Sequence, residues 1–236
     1  TCMKEAVVLF SGGIDSTYIT ARSAGDFDKL TLITYKVPGM VRVEASRKSS
    51  EQLAGIFGGK ITHHVIDITD FVYALRGNAA ACIRDNFEYG FFYSWCLGCK
   101  TAMHLYTVEY CRERGIRTVL DGSSYYDVHA LEQHEEVKDL ITRLYRDNGI
   151  EYRSPFYKEI GERPPSSLFK RIMRHLGLLK DTTAERARYL KGLGIDVRRG
   201  FMSQYRACQP SCVTSLFFNI PRLFYKAFRD EKGGGY

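Results

Sequence analysis

The sequence predicts an α/β fold in which helices cover both faces of an open parallel sheet, a doubly wound arrangement of the Rossmann-like kind. Short runs of apolar and β-branched residues recur along residues 6–156, each too short for a helix. Stretches with helical periodicity separate these runs. Because strands that alternate with helices pair in parallel through right-handed crossovers, this order predicts one sheet.

Glycines and prolines set the limits of the predicted strands. The first run ends at a glycine pair, which makes a tight turn into the first helix. The last is a short run that ends in Ser154-Pro155-Phe156, before a turn. The runs predicted as strands are residues 6–10, 30–35, 61–66, 118–120 and 153–156.

The predicted helices fill the intervals between the strands. Leu53 and Ile56 fall on one face of the second helix, which Gly58 and Gly59 terminate, and Gly115 terminates the longest one. The stretches predicted as helices are residues 17–24, 43–57, 97–114 and 132–147.

The character of the chain changes near residue 159. Two basic helical stretches, residues 167–177 and 182–193, alternate there with turns, and a Tyr- and Phe-rich end follows. We therefore expect an α/β domain over residues 1–158 and a helical C-terminal extension over residues 159–236, packed on the sheet.

Composition narrows the class of protein. A chain of 236 residues that is 44% hydrophobic and 26% charged can bury a full core. It has no apolar stretch of the roughly 20 residues that a membrane span needs, and we expect a cytoplasmic protein without a membrane partner. Seven cysteines in a reducing compartment indicate metal ligands, catalytic thiols or core residues rather than disulfides. The net charge of +7 suits a polyanionic partner such as tRNA, or a nucleotide.

Residues 11–17, Ser-Gly-Gly-Ile-Asp-Ser-Thr, lie between a buried strand and a helix. Gly12 and Gly13 let the backbone approach a ligand closely, and the start of the helix offers unpaired N–H groups to a phosphate. Hydroxyl donors come from Ser11, Ser16 and Thr17. A carboxylate is a poor direct neighbour of phosphate, so we predict Asp15 as a ligand of the Mg²⁺ that bridges the two.

The motif is neither a P-loop, which needs Gly-Lys-Ser/Thr, nor the dinucleotide pattern Gly-x-Gly-x-x-Gly. It resembles the Ser-Gly-Gly-x-Asp-Ser signature of the PP-loop ATP pyrophosphatase superfamily over roughly residues 3–156. The resemblance implies cleavage of ATP between its α and β phosphates and adenylation of an acceptor oxygen. It also implies adenine contacts from the strand backbone at Thr34 and Tyr35.

Asp121-Gly122-Ser123 follows the fourth predicted strand, at the sheet edge where ligands collect in such folds. It resembles the second nucleotide-side motif of the same superfamily. On that basis Asp121 is a candidate catalytic residue and, with Gly122, a candidate nucleotide contact. A plain turn after a strand is the alternative.

Two close pairs of cysteines stand far apart in the chain. Cys96 and Cys99 open the long helix, where the helix dipole favours thiolates, and Cys208 and Cys212 lie near the C-terminus. Four thiolates suit a structural Zn²⁺, three suit a 4Fe-4S cluster with one open iron, and a catalytic thiol pair is a third reading. The block Cys-x-x-Cys-Lys at a helix start resembles the cluster-dependent tRNA thiolation enzymes and cysteine-rich relatives of the nickel-pincer-cofactor sulfur transferase.

This resemblance implies that Cys96, Cys99 and Cys208 hold the cluster, while Cys212 completes a zinc site or has another role. The implied reaction is ATP- and Mg²⁺-dependent adenylation followed by sulfur transfer from a sulfur donor to a tRNA base or a small cofactor precursor. Residues 4–76 also resemble 7-cyano-7-deazaguanine synthase, which uses zinc and ammonia. A non-catalytic nucleotide- or RNA-binding module is the third option, and a homodimer is one option for the assembly.

Overall fold

The computed structural model describes residues 3–37, 43–76, 91–123, 135–155, 157 and 182–197. The strands in these ranges are β1 (Glu5–Leu9), β2 (Lys29–Lys36), β3 (Ile61–Asp67), β4 (Thr118–Asp121) and β5 (Glu151–Arg153). The helices are α1 (Ile14–Ser23), α2 (Glu44–Phe57), α3 (Thr69–Arg76), α4 (Phe91–Arg114), α5 (Glu135–Asp147) and α6 (Thr182–Gly192), and a short 3₁₀ turn spans Gly58–Lys60.

The five strands form one sheet in the order β3-β2-β1-β4-β5, and every neighbouring pair is parallel. β1 occupies the centre, where Val8 pairs with Leu32 on one side and Leu120 on the other. The chain first builds outwards from β1 to β3 and then crosses back to place β4 on the opposite side of β1. The predicted doubly wound parallel sheet is therefore confirmed.

Alternate residues of β1 enter two separate cores, as the two-residue period of a strand requires. Ala6 and Val8 pack against α1, α2 and α6, whereas Val7 packs against α3, α4 and α5 on the other face. Helices cover the sheet on both faces, which explains why the central strands consist mainly of apolar and β-branched residues.

Most element limits agree with the sequence to within a few residues, but α3 was not predicted and the last strand was placed wrongly. The long helix α4 begins at Phe91, so Cys96 and Cys99 lie within it and not, as predicted, at its start. The structure pairs Glu151–Arg153 with β4, and Ser154 and Pro155 lie beyond the strand. Pairing begins early because Gly149, at a φ of +70°, reverses the chain after α5, and Glu151 N–H donates to the Arg117 carbonyl. Phe156 and the predicted helix over 167–177 lie outside the described residues.

Helix α6, from the predicted C-terminal extension, packs on α1. Leu190 and Ile195 belong to the same apolar core as α1, and the rings of Tyr18 and Tyr189 meet edge to face at 5.2 Å. The predicted domain limit at residue 159 lies outside the described residues and stays a prediction. Among the helices of the described ranges, none combines the length and the apolarity that a bilayer span requires.

Candidate functional site

The centre of the sheet contains its topological switch point. β1 and β4 are adjacent, but the chain leaves their carboxyl ends in opposite directions, which opens a crevice between the two following loops. Residues 10–13 follow β1, and Gly122 and Ser123 follow β4. Both predicted nucleotide motifs therefore lie at the position where open α/β sheets bind ligands.

The loop after β1 is held together by its own serines. Ser11 N–H donates to Ser16 Oγ at 3.3 Å, the two hydroxyls are 3.2 Å apart, and Gly13 N–H donates to Ser11 Oγ at 3.3 Å. Gly12 has a φ of +72°, a conformation that favours glycine. Gly13 is the N-cap residue of helix α1 and makes no side-chain cap, so N–H groups of the first turn have no intrahelical acceptor. This is the construction of an anion site.

Two neighbouring elements fix the loop from behind. Ser49 of α2 donates to the Gly12 carbonyl at 3.0 Å, and Thr34 of β2 donates to the Phe10 carbonyl at 2.6 Å. The Thr34 hydroxyl also lies 2.9 Å from His63 Nε2, and the other ring nitrogen, Nδ1, lies 2.9 Å from the Ser50 hydroxyl. Burial is the main cause that lowers the pKa of His63 to about 4, so the ring is neutral at physiological pH.

The three predicted hydroxyl donors differ in whether they already have a hydrogen-bond partner. Ser11 and Ser16 bond within the loop, so a phosphate would share them with the loop. Thr17 is fully buried, and its Oγ1 has no hydrogen-bond partner within the described residues. The uncapped helix start and this buried hydroxyl fit a phosphate ligand.

Asp15 occupies the first turn of α1, but its carboxylate already has a cationic partner. Arg186 of α6 donates to Asp15 Oδ1 at 2.7 Å, and the arginine side chain is 5% exposed against 27% for the aspartate. Oδ2 is the oxygen that this contact leaves for a metal ion, and oxygen is the donor that Mg²⁺ prefers. The carboxylate thus fits a single-oxygen contact to Mg²⁺, and the magnesium role of Asp15 stays a prediction.

Asp121, at the end of β4, is the centre of a buried polar cluster. Its Oδ2 accepts hydrogen bonds from Lys100 Nζ at 3.2 Å, from Tyr152 OH at 2.6 Å and from the Ser123 hydroxyl. Burial alone would raise the pKa of this carboxyl, but the Lys100 ammonium and the hydrogen bonds outweigh it and hold the pKa below its usual range. Asp121 is therefore ionised and paired.

Gly122 brings the two loops into contact. A Cβ at this position would lie 2.9 Å from the Ser16 amide nitrogen and 3.0 Å from the Asp15 carbonyl carbon, both backbone atoms of the first turn of α1. Only glycine permits this approach. The loop after β4 therefore contacts the start of α1 directly. Asp121 is the residue immediately before Gly122.

A second layer of aromatic side chains supports this cluster. The Tyr152 ring stacks on Tyr145 at 5.0 Å, and His104 meets both rings edge to face. Tyr145 OH and His104 Nδ1 are 2.9 Å apart, and burial lowers the pKa of His104 to about 3. His104 Nε2 has no hydrogen-bond partner within the described residues. The Asp121 carboxylate is thus anchored through Tyr152 to a rigid, buried aromatic group.

The cysteine predictions are only partly covered. Cys99 is buried in α4 and is followed by Lys100, which contacts Asp121. Cys96 lies in the same helix, but its side chain is outside the described residues, as are Cys208 and Cys212 entirely. In the described part of the chain no three His, Cys, Asp or Glu side chains are grouped to hold a metal. The ligand set for a cluster or for Zn²⁺ stays a prediction.

The side chains of Thr34 and Tyr35 serve the core. Thr34 supports the loop, as described above, and the Tyr35 hydroxyl lies 2.8 Å from Thr107 Oγ1 on the opposite face of the sheet. Burial raises the pKa of Tyr35. Any adenine contact from this strand would therefore come from its backbone, as predicted.

Sequence reasoning missed four residues that shape the site: Lys100, Tyr152, Ser49 and Arg186. Lys100 carried a signal, because it ends the block Cys-x-x-Cys-Lys. The other three had none: each is a common polar or aromatic residue that meets its partner only through the tertiary fold.

No protein-family model matches the chain, and no curated protein sequence does either. Solved structures do match. A predicted subunit of tRNA methyltransferase from Methanocaldococcus jannaschii is 20% identical, with 84% of this chain and 93% of that chain covered and a TM-score of 0.44. NMN synthetase from Francisella tularensis is 12% identical, with 84% and 88% covered and a TM-score of 0.41.

A third match is the U34-tRNA thiolase NcsA from Methanococcus maripaludis with its 4Fe-4S cluster, which is 14% identical, with 81% of this chain and 66% of that chain covered and a TM-score of 0.41. This third match is a tRNA thiolation enzyme, one of the kinds of protein that the sequence resembles. At these identities and TM-scores, however, the likeness says nothing about what this chain binds or catalyses.

Proposed function

We propose that the chain is an ATP-dependent, AMP-forming enzyme of the PP-loop kind. One observation carries the proposal: an uncapped helix start with a glycine-rich loop stands at the switch point of the sheet, in direct contact with the loop that bears Asp121. Phosphate groups bind at such helix starts because N–H groups and the helix dipole converge there. Binding the triphosphate at this place puts the α-phosphate within reach of both loops.

The residues of the crevice would act by binding and by charge balance. The N–H groups of the first turn of α1 and the hydroxyl of Thr17 would hold phosphate oxygens. Lys100, paired with Asp121 and 20% exposed, would offset charge that develops as pyrophosphate leaves. An oxygen of the acceptor attacks the α-phosphorus, the bond to the β-phosphate oxygen breaks, and the acceptor becomes adenylated.

We infer that a sulfur nucleophile then displaces AMP from the acceptor, which is a tRNA base or a small cofactor precursor. Support comes from the block Cys-x-x-Cys-Lys in α4, whose Lys100 contacts Asp121, while the Cys99 side chain is buried in the apolar core beside it. A 4Fe-4S cluster held by Cys96, Cys99 and Cys208 would supply an iron that binds sulfide. The net charge of +7 suits a tRNA substrate.

The reaction is tested with protein purified without oxygen and incubated with ATP, Mg²⁺, sulfide as the nucleophile and bulk tRNA. We expect AMP and pyrophosphate in equal amounts. Thr17→Ala should weaken binding of the non-cleavable analogue α,β-methylene-ATP by about tenfold, the effect of one hydrogen bond to a charged group. Thr142→Ala is the matched control, because that exposed hydroxyl bonds to the Lys138 carbonyl of its own helix, α5. Release of ADP and phosphate, or no binding of the analogue, would contradict the proposal.

The metal content of the purified protein tests whether the nucleophile is sulfur or ammonia. We expect iron and acid-labile sulfide, lost in Cys99→Ser and retained in Cys111→Ser. Cys111 is the matched control because it is buried in the same apolar core as Cys99 but is not one of the predicted ligands, and burial raises its pKa to about 12. Stoichiometric zinc with an ammonia-dependent product would instead identify a ligase like 7-cyano-7-deazaguanine synthase. Nucleotide binding without turnover would identify a binding module.

A further inference from the structure

A polar contact joins the first turn of α1 to α6: Asp15 pairs with Arg186, which is 171 positions away along the chain. Arg186 Nη1 lies 2.7 Å from Asp15 Oδ1, and the arginine side chain is almost completely buried. A buried guanidinium requires a carboxylate nearby, since an uncompensated charge is costly to bury. The position of the Asp15 carboxylate is therefore tied to α6.

The surrounding contacts show that this geometry belongs to the helix interface and not to the loop. Asp15, Tyr18 and Arg22 recur at helical spacing along one side of α1. The guanidinium of Arg186 lies over the Tyr18 ring at 5.7 Å, and that of Arg22 lies over Tyr189 at 5.6 Å. Asp15 thus faces α6 because the whole stripe does.

The charge of Asp15 matters because of where the residue stands. A carboxylate in the first turn is favourable for the helix, but the same place is the candidate seat for a triphosphate. Two anions at one helix start repel each other. A cation that neutralises the carboxylate removes this repulsion, and in this structure the cation comes from α6.

We propose that Arg186 is a positioning residue of the triphosphate site: it neutralises and orients the Asp15 carboxylate, so that α6 of the C-terminal region completes a site formed by the N-terminal loop. This inference rests on the proposed function, because it requires that a nucleotide binds at α1. Arg186 acts through Asp15, which it contacts at Oδ1.

The test measures binding of α,β-methylene-ATP to the full chain by calorimetry, in EDTA so that no metal contributes. We expect Arg186→Gln to weaken binding by about tenfold or more, since it exposes the phosphates to an unpaired carboxylate a few ångström away. Arg186→Lys keeps the charge and should bind nearly as the unaltered protein does. Asp15→Asn in the Arg186→Gln background should restore most of the affinity, because it removes the repelling charge.

Asp15→Asn alone gives a second readout that does not depend on the folding of the arginine variants. Without metal it should bind the analogue more tightly, by about tenfold, since an unbalanced cation then remains beside the phosphates. With Mg²⁺ it should bind more weakly if Asp15 is the predicted magnesium ligand. Asp26→Asn, in the exposed turn at the other end of α1, and Arg22→Gln, on the same interhelical stripe, are the controls and should change neither value.

The outcomes separate the two proposals. If the unaltered protein binds no analogue with or without Mg²⁺, the proposed function fails and this inference fails with it. If it binds but Arg186→Gln binds equally well, or Asp15→Asn restores nothing, Arg186 only packs α6 on α1 and the inference alone is overturned. Thermal unfolding of each variant, recorded in parallel, identifies any that has lost its fold.

Discussion

Adding one methyl group at Gly122 is the sharpest perturbation that the structure offers. The Cβ of Gly122→Ala would lie 2.9 Å from the Ser16 amide nitrogen and 3.1 Å from Ser16 Cα. These are backbone atoms inside the first turn of a helix, so no side-chain rotation can relieve the overlap. The two loops at the switch point must move apart.

The size of the effect follows from the distances. Ordinary van der Waals contact begins at 3.4 Å, so the shortest contact needs 3.4 − 2.9 = 0.5 Å of displacement. Overpacking of this kind costs about 1–3 kcal/mol of folding free energy. Because binding groups displaced by about 1 Å lose roughly a hundredfold in function, half that shift predicts about a tenfold loss in nucleotide affinity.

Urea denaturation and calorimetric titration with α,β-methylene-ATP measure the two quantities. Gly55→Ala is the matched control: Gly55 lies inside α2, no atom is within 4 Å of its Cβ position, and its φ is not left-handed. This control should gain about 0.5–1 kcal/mol, as glycine-to-alanine changes in helices do, and should leave the affinity unchanged.

The reasoning is refuted if Gly122→Ala unfolds at the same urea concentration as the unaltered protein and binds the analogue equally well. It is also refuted if the variant is destabilised but its affinity is unchanged, because the loop after β4 would then lie away from the phosphate seat. Loss of affinity at unchanged stability would place the methyl group in the ligand's own space.

The remaining predictions concern the residues that support the site. Tyr152→Phe removes a donor to ionised Asp121 and should cost about 1.5–3 kcal/mol near neutral pH, measured by urea denaturation, with the loss disappearing once the carboxyl is protonated. Ser49→Ala frees the carbonyl of the first loop glycine and should cost about 0.5–1.5 kcal/mol in the same assay, with weaker nucleotide binding. The pKa of His63 is lowered to about 4 in the folded chain and is 6.5 ordinarily, so its contribution to stability is complete above pH 6.5 and is lost as the pH falls towards 4. His104 titrates in an overlapping window, and His63→Gln should therefore remove only part of the slope of unfolding free energy against pH.

The sheet could be predicted because strands that are buried on both faces are rich in apolar and β-branched residues. The central strands are short buried runs of mainly apolar and β-branched residues, and helices separate them in a fixed order. The edge strand β5 left no such mark, since Glu151 and Arg153 are exposed and only Tyr152 is partly covered. The sequence placed it too late because Ser154-Pro155 was the clearer local signal.

The site was predicted in its backbone and missed in its side chains. Glycine-rich turns can be recognised from the local sequence, because few residues tolerate a φ of +72° or a contact as close as that of Gly122. An ion pair between positions 15 and 186 leaves no local trace, because either residue alone is an ordinary charged residue on a helix. Such pairs become visible only when the topology brings α1 and α6 together.

The two charged pairs of the crevice together explain how carboxylates can stand beside an anion site. Asp15 and Asp121 flank the start of α1, and each is neutralised by a cation from a different helix, Arg186 of α6 and Lys100 of α4. With both carboxylates balanced, the uncapped N–H groups of α1 remain the dominant charge feature, and that feature is positive. If the site binds phosphate as proposed, we expect it to do so most strongly while both helices are docked, because each supplies the cation that neutralises one carboxylate.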